Sequence, residues 1–467
     1  MSKRNFILLT IILAIIVLVV LGFLYSQRNV TAPGEDGSGT NFISQFNPFG
    51  SDKPTTTPPS TTPTDVSGYE PGPTQEEVQL RKVSSMPIAG FTVYLKERLK
   101  DVPTPPLLIE EGAGGGNSTS TPPPPSGTPP QKGGEGTKTT TSTTKPTPPA
   151  TEFVSALRYV DRATGNVYQT FADKIEERRF STTMIPKVYE AFFGNKGNSV
   201  VMRYLKEDST TITTFVGNLP KELLGGDTTE NNEIAGVFLP EDVKDVSLSQ
   251  DAGSIFYLFN VGENIVGTTL NLTTNKKSQI FDSPFTEWLS QWPNNKLITL
   301  TTKPASGVPG YMYGVDLLSN KNLHQIFGNI NGLTTLTSPN GKLILFANDN
   351  LSLGVYHTDT KVSGSLGIKT LPEKCVWGMV SDVVYCGVPS SIVSAGYPDA
   401  WYRGEVSFVD QLWKIDITSG NATLLVDPGA VEGGEEMDSI KLALDADENY
   451  LFFVNKKDSF LWELKLK

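Results

Sequence analysis

From about residue 186 onward, short apolar runs alternate with polar turns, and the pattern returns at intervals of roughly 40–60 residues. Residues 337–347 show the unit most clearly. A short strand meets the turn Ser338-Pro339-Asn340-Gly341-Lys342, and a second, more apolar strand, Leu343-Ile344-Leu345-Phe346-Ala347, follows. A hairpin such as Leu412-Trp413-Lys414-Ile415-Asp416-Ile417-Thr418-Ser419-Gly420-Asn421 then ends the unit. Its turn carries Asp, Thr, Ser and Gly, which accept the backbone conformations a two-strand connection needs. The strand–turn–strand part recurs at residues 189–202, 246–259, 288–300, 334–347, 376–388 and 442–454, with 88–95 as a degenerate first copy. The hairpin signature returns at 158–168, and looser copies stand at 268–275 and 314–321.

Repeats of this size cannot each bury an apolar face alone, so they must stack around a common axis. The pattern predicts an all-β fold, a β-propeller with seven blades; six or eight stay open because some copies have diverged. The last blade ends on a third strand, Leu461-Trp462-Glu463-Leu464-Lys465, with no fourth after it. The missing edge is expected from residues 80–84, which would close the ring and protect its open edges. On this reading the propeller occupies 77–467, and a tract rich in Pro, Gly and Thr at about 102–150 is a disordered insertion in the first blade. The alternative for the segment before that tract is an independent amphipathic stretch, with 93–99 helical.

The N-terminus gives an address. Residues 6–25 are uncharged and mostly apolar, and at about 1.5 Å per residue they span a hydrocarbon core of about 30 Å. Lys3 and Arg4 precede them, whereas Arg28 beyond is soon offset by Glu35 and Asp36. That asymmetry predicts a cytoplasmic tail (1–5), a membrane-spanning signal anchor (6–25) and an extracytoplasmic C-terminal domain. A cleaved signal peptide fits less well: the apolar run is longer than usual, and Leu24 with Ser26 is a poor cleavage pair. Residues 26–76, rich in Pro, Thr and Gly, read as a disordered stalk. The short patch Phe42-Ile43-Ser44-Gln45-Phe46-Asn47-Pro48-Phe49 within it reads as a juxtamembrane apolar patch without function; the alternative is a partner-binding segment.

Charge and rare residues narrow the function. A net charge of −11 argues against nucleic acid as a partner. Two histidines, His324 and His357, and two cysteines are too few for a multi-ligand metal centre, so neither metal nor cofactor is implied. Cys375 and Cys386 flank a strand–turn–strand and are disulfide candidates in an oxidising compartment; the alternative is a pair of small buried hydrophobes.

Ser338-Pro339-Asn340-Gly341-Lys342-Leu343 closely resembles the Ser-Pro-Asp-Gly-Lys repeat of TolB-type, WD-like propellers, with Asn340 in the usual Asp position. The resemblance covers roughly 186–467 by rhythm and implies an exported propeller that binds proteins or peptides. Ser249-Gln250-Asp251-Ala252-Gly253 also looks like the Asp-box of sialidase-type propellers, but a single copy reads as a structural turn.

Candidate chemistry is sparse. Asp445-Ala446-Asp447-Glu448-Asn449 begins like a calcium loop, yet Tyr450 stands where Gly is required, so the reading is a turn. The glycines at 112–116 lack the Lys-Ser/Thr pair of a phosphate loop. The acidic run Glu432-Gly433-Gly434-Glu435-Glu436-Met437-Asp438 reads as a solvated loop. Tyr397, Trp401, Tyr402 and Arg403 sit in the longest insertion of the later blades and combine residue types favoured at binding hot spots. The sequence therefore points to a membrane-anchored scaffold that binds an envelope protein or peptide rather than to an enzyme. The rival is an exported glycan hydrolase or lyase with a carboxylate site in the propeller funnel.

Overall fold

The computed structural model describes residues 80–100, 150–222, 232–318 and 322–467. Each repeat is a four-stranded antiparallel sheet in simple up-and-down order. Blade 1 holds β2 (Ile88–Leu99), β3 (Thr151–Asp161), β4 (Val167–Phe171) and β5 (Arg178–Arg179), and blade 2 holds β6 (Val188–Gly194), β7 (Ser199–Leu205), β8 (Ile212–Asn218) and β9 (Ala235–Phe238). In blade 3 stand β10 (Asp245–Leu248), β11 (Ser254–Val261), β12 (Asn264–Asn271) and β13 (Lys277–Ser283). Blade 4 has β14 (Trp288–Asn294), β15 (Leu297–Thr302), β16 (Pro309–Asp316) and β17 (Leu323–Asn331). Blade 5 follows with β18 (Thr334–Thr337), β19 (Leu343–Ala347), β20 (Ser352–His357) and β21 (Ser363–Lys369). Blade 6 comprises β22 (Cys375–Trp377), β23 (Val383–Pro389), β24 (Asp410–Asp416) and β25 (Ala422–Val426). Blade 7 takes β26 (Ser439–Leu444), β27 (Tyr450–Asn455) and β28 (Leu461–Lys465) from the end of the chain, and its outer strand is β1 (Leu80–Lys82). The chain is a seven-bladed β-propeller.

The closure is specific in register: Leu80 lies opposite Leu464, Arg81 opposite Glu463 and Lys82 opposite Trp462. The strand reading of this segment holds and the alternative, a helical 93–99, does not: β2 stays extended to Leu99 and pairs with β3 through Thr151. Residues 6–25, the stalk and the 102–149 part of the insertion lie outside the described residues.

Apolar side chains gather between blades. Val160 and Phe180 of blade 1 pack with Val188 and Ala191 of blade 2. Leu157 and Tyr159 meet Phe452 and Leu461 of blade 7, and Tyr385 and Leu412 of blade 6 meet Phe453 and Trp462. The first strands of blades are neighbours around the axis. Where β2 passes β6 the backbones are so close that a Cβ on Gly90 would lie 2.0 Å from the Ala191 carbonyl oxygen, which demands glycine.

The repeated turns share one hydrogen-bond design. Ser338 Oγ donates to Asn340 Oδ1 (2.8 Å) and accepts from the Leu343 amide (3.0 Å), while the Lys342 amide donates to Asn340 Oδ1 (2.9 Å). The Asp-box-like turn repeats it, with Ser249 Oγ to Asp251 Oδ1 at 2.6 Å and the Ser254 amide to Ser249 Oγ at 3.0 Å. In blade 7, Asp445 Oδ1 accepts the amides of Asn449 (2.7 Å) and Tyr450 (2.8 Å), so this acidic cluster is built into the turn. Each motif satisfies backbone groups that the end of a strand pair leaves open.

Candidate functional site

Each B–C connection, between the second and third strands of a blade, opens on the face where the first strands begin. Three of them interlock. The amide of Ser306, in the blade 4 connection, donates to Asp399 Oδ2 of the blade 6 insertion (2.5 Å), and the Gly307 amide donates to Asp349 Oδ2 of blade 5 (3.3 Å). The blade 6 insertion thus reaches across the face and braces the loop before β16. Behind that braced loop lies a groove of about 470 Å³ whose lining includes Phe285, Trp288, Val308, Tyr311, Tyr313 and Leu323.

The groove is aromatic because the link from β13 to β14 lays its rings beside those of β16. Trp288 is 6 % exposed and its Nε1 donates to the Phe285 carbonyl (2.6 Å), which fixes the link. Phe285 and Tyr313 each meet the Trp288 ring edge-on, with centroids 5.0 and 5.5 Å away. Such tilted pairs are favoured by the ring quadrupoles. Phe285, Val308 and Leu323 remain exposed, at 50 %, 54 % and 40 %. The result is a rigid indole floor with open apolar walls, of a size that holds a few side chains of a ligand.

On the same face the first strands of blades 2, 3 and 7 and the second strand of blade 2 bring charges together. Arg203 Nη1 donates to Glu190 Oε2 (2.5 Å) and Nη2 to the Val243 carbonyl (2.6 Å). Lys441 Nζ donates to the Ala89 carbonyl (2.8 Å), and Asp245 Oδ2 accepts the Ser290 amide (2.6 Å). Burial holds Asp245 above the usual carboxylate range; Glu190 adds to that and Arg203 opposes it, so these groups share one electrostatic neighbourhood.

The four residues singled out in the blade 6 insertion divide. Tyr397 and Trp401 are buried, and they stack on Phe408 at centroid distances of 5.7 and 6.2 Å. Trp401 Nε1 donates to Asp438 Oδ2 (3.0 Å), and Lys456 sits 4.2 Å above its ring. An insertion without strand pairing of its own needs such an anchor. Tyr402 and Arg403 face solvent, where Tyr402 meets Glu373 and Arg403 meets Glu405 (2.7 Å). Asp438 corrects the reading of residues 432–438 as a wholly solvated loop. It is buried and accepts from Lys374 Nζ (2.5 Å), which also meets Asp410 Oδ2 (2.7 Å). Cys375 and Cys386 are a directly opposed pair of β22 and β23, with their sulfur atoms 2.11 Å apart.

Sequence reasoning missed the groove. Trp288 stands in a recognised repeat, but nothing in the pattern says that Phe285, Tyr311 and Tyr313 converge on it. Glu190, Arg203, Asp245 and Lys441 are separated by up to 251 positions and share no motif.

No protein-family profile matches the sequence, and no curated protein sequence matches it significantly. Among solved structures the chain is similar to an oligogalacturonate lyase from Vibrio parahaemolyticus. That match has a TM-score of 0.45 and 8 % identity, and it covers 67 % of this chain and 86 % of that one. It is also similar to TolB from Acinetobacter baumannii, with a TM-score of 0.35 and 10 % identity over 66 % of this chain and 61 % of that one.

Proposed function

We propose that this propeller is held at the outer side of a membrane by residues 6–25 and binds a peptide segment of an envelope protein in the Phe285–Trp288–Tyr313 groove. The observation that carries the reading is an exposed Phe285 beside a buried, hydrogen-bonded Trp288, on a rim braced from two other blades. Fixed aromatic rings give a ligand contact area at little cost in conformational entropy. The uncharged N-terminal segment and the basic residues before it support the anchor and its orientation.

The test is binding of the full-length chain to an array of extended peptides carrying aromatic and aliphatic residues. Phe285→Ala removes an exposed ring without opening the core and should weaken the bound peptides by about tenfold. Equal binding by the variant would sink the groove reading.

A second reading, an exported carbohydrate-active enzyme, is favoured by Glu190 and Asp245 standing with Arg203 and Lys441 in that group of charges. Release of shortened or unsaturated products from glycans, abolished by Glu190→Gln, would select it over the binding module.

A further inference from the structure

The ring carries a second cleft at its other face, where the turns between first and second strands lie. It measures about 680 Å³ and sits between blades 1 and 2. Lys96, Arg158, Lys196 and Lys221 line it against Glu97 and Glu222, an excess of cations on a chain whose net charge is −11.

Its base is already built around a carboxylate. Arg158, 2 % exposed, donates from Nη2 to Glu222 Oε2 (2.9 Å), and Arg178 Nη2 donates to Oε1 (2.8 Å). Gln169 Nε2 adds a third donor to Oε1 (3.0 Å), and Lys96 Nζ a fourth. Arg158 is itself locked in place, by Gln169 Oε1 (3.0 Å) and the Gly197 carbonyl (2.7 Å). Three cations therefore share one acid. Above them Lys196 and Lys221 are exposed and have no ion-pair or hydrogen-bond partner among the described residues. Leu95, 52 % exposed, gives the rim an apolar patch beside the charges.

We infer that this cleft binds an acidic segment of a partner protein, with ligand carboxylates taking Lys196 and Lys221 while Glu222 keeps Arg158 and Lys96 in place. The chemistry favours a short acidic peptide over a long polyanion. Local cations act within a Debye length of about 8–10 Å, whereas an extended polyanion also meets the repulsion of an acidic protein. The apolar rim suits aliphatic side chains between the acids. This site is distinct from the aromatic groove and stands without it.

The experiment is fluorescence anisotropy of labelled hexaglutamate with the full-length protein in detergent, at low and at physiological salt. Binding should weaken with salt and fall roughly tenfold in the Lys196→Glu/Lys221→Glu double variant, whose substitutions are exposed and leave the thermal unfolding of the chain unchanged. Phe285→Ala should bind hexaglutamate as the parent does, which separates this cleft from the groove. No binding by the parent, equal binding by the double variant, or stronger displacement by inorganic phosphate or oligogalacturonate than by unlabelled hexaglutamate would overturn the assignment.

Discussion

Glu463→Gln tests how the ring is closed. Glu463 lies on β28 directly opposite Arg81 of β1, is 1 % exposed, and accepts Arg81 Nε at 2.9 Å through Oε1. Its Oε2 has no partner among the described residues. Burial pushes its carboxyl from 4.5 up to about 7; Arg81 pulls the other way, and Asp173 and Asp445 add a smaller upward push. A raised carboxyl pKa means that, between the two values, the folded protein holds a proton which the unfolded chain has released. This contribution to stability is therefore full below the unfolded value, declines as pH rises through the window, and is flat above about 7. At about 1.4 kcal/mol per unit, the ionised group costs the fold about 3 kcal/mol at pH 8 relative to its protonated form. Glutamine mimics the protonated group at every pH, and Arg81 is exposed enough to stay hydrated. The variant should match the parent near about pH 4.5 and exceed it by about 1–3 kcal/mol near about pH 8, measured by urea unfolding of the full-length chain across that range. A difference that does not change with pH, or a variant less stable at the alkaline end, would refute the reasoning.

Two further outcomes are expected. Lys374→Met leaves Asp410 and Asp438 facing each other in a site from which all three side chains exclude solvent, and thermal unfolding should show a loss of about 3–5 kcal/mol. Burial already pushes Asp410 upward, so acidification should restore part of that loss as it takes a proton. Cys375 and Cys386 are expected to be bonded in the mature protein, as mass spectrometry with and without reductant would show. The short loop between them, with a separation of 11, puts the cost of Cys375→Ser/Cys386→Ser at about 2–3 kcal/mol.

Much of the architecture was legible because strand repeats are local signals. Turn residues such as Ser338, Asn340 and Gly341 act within five positions, so their role can be read from a window of sequence. The contribution of residues near 80 to the last blade was legible too, because a blade short of one strand has to find an edge. The reading of Asp438 as solvated failed because its partner, Lys374, lies 64 positions upstream across a blade boundary.

The alternation of apolar runs and turn residues by itself determined the all-β class, the propeller, the recurring turn between the first two strands of a blade and the source of the closing strand. Composition by itself set the net charge of −11, and residues 6–25 by themselves are an uncharged segment. Only the tertiary structure decided which side chains face one another between blades. It set Trp401 inside and Tyr402 outside, drew Phe285, Trp288 and Tyr313 into one groove, and put three cations around Glu222. The physical reason is that a repeat encodes its own hydrogen bonds, whereas a site is made by neighbours from different repeats whose approach is set by closure of the ring.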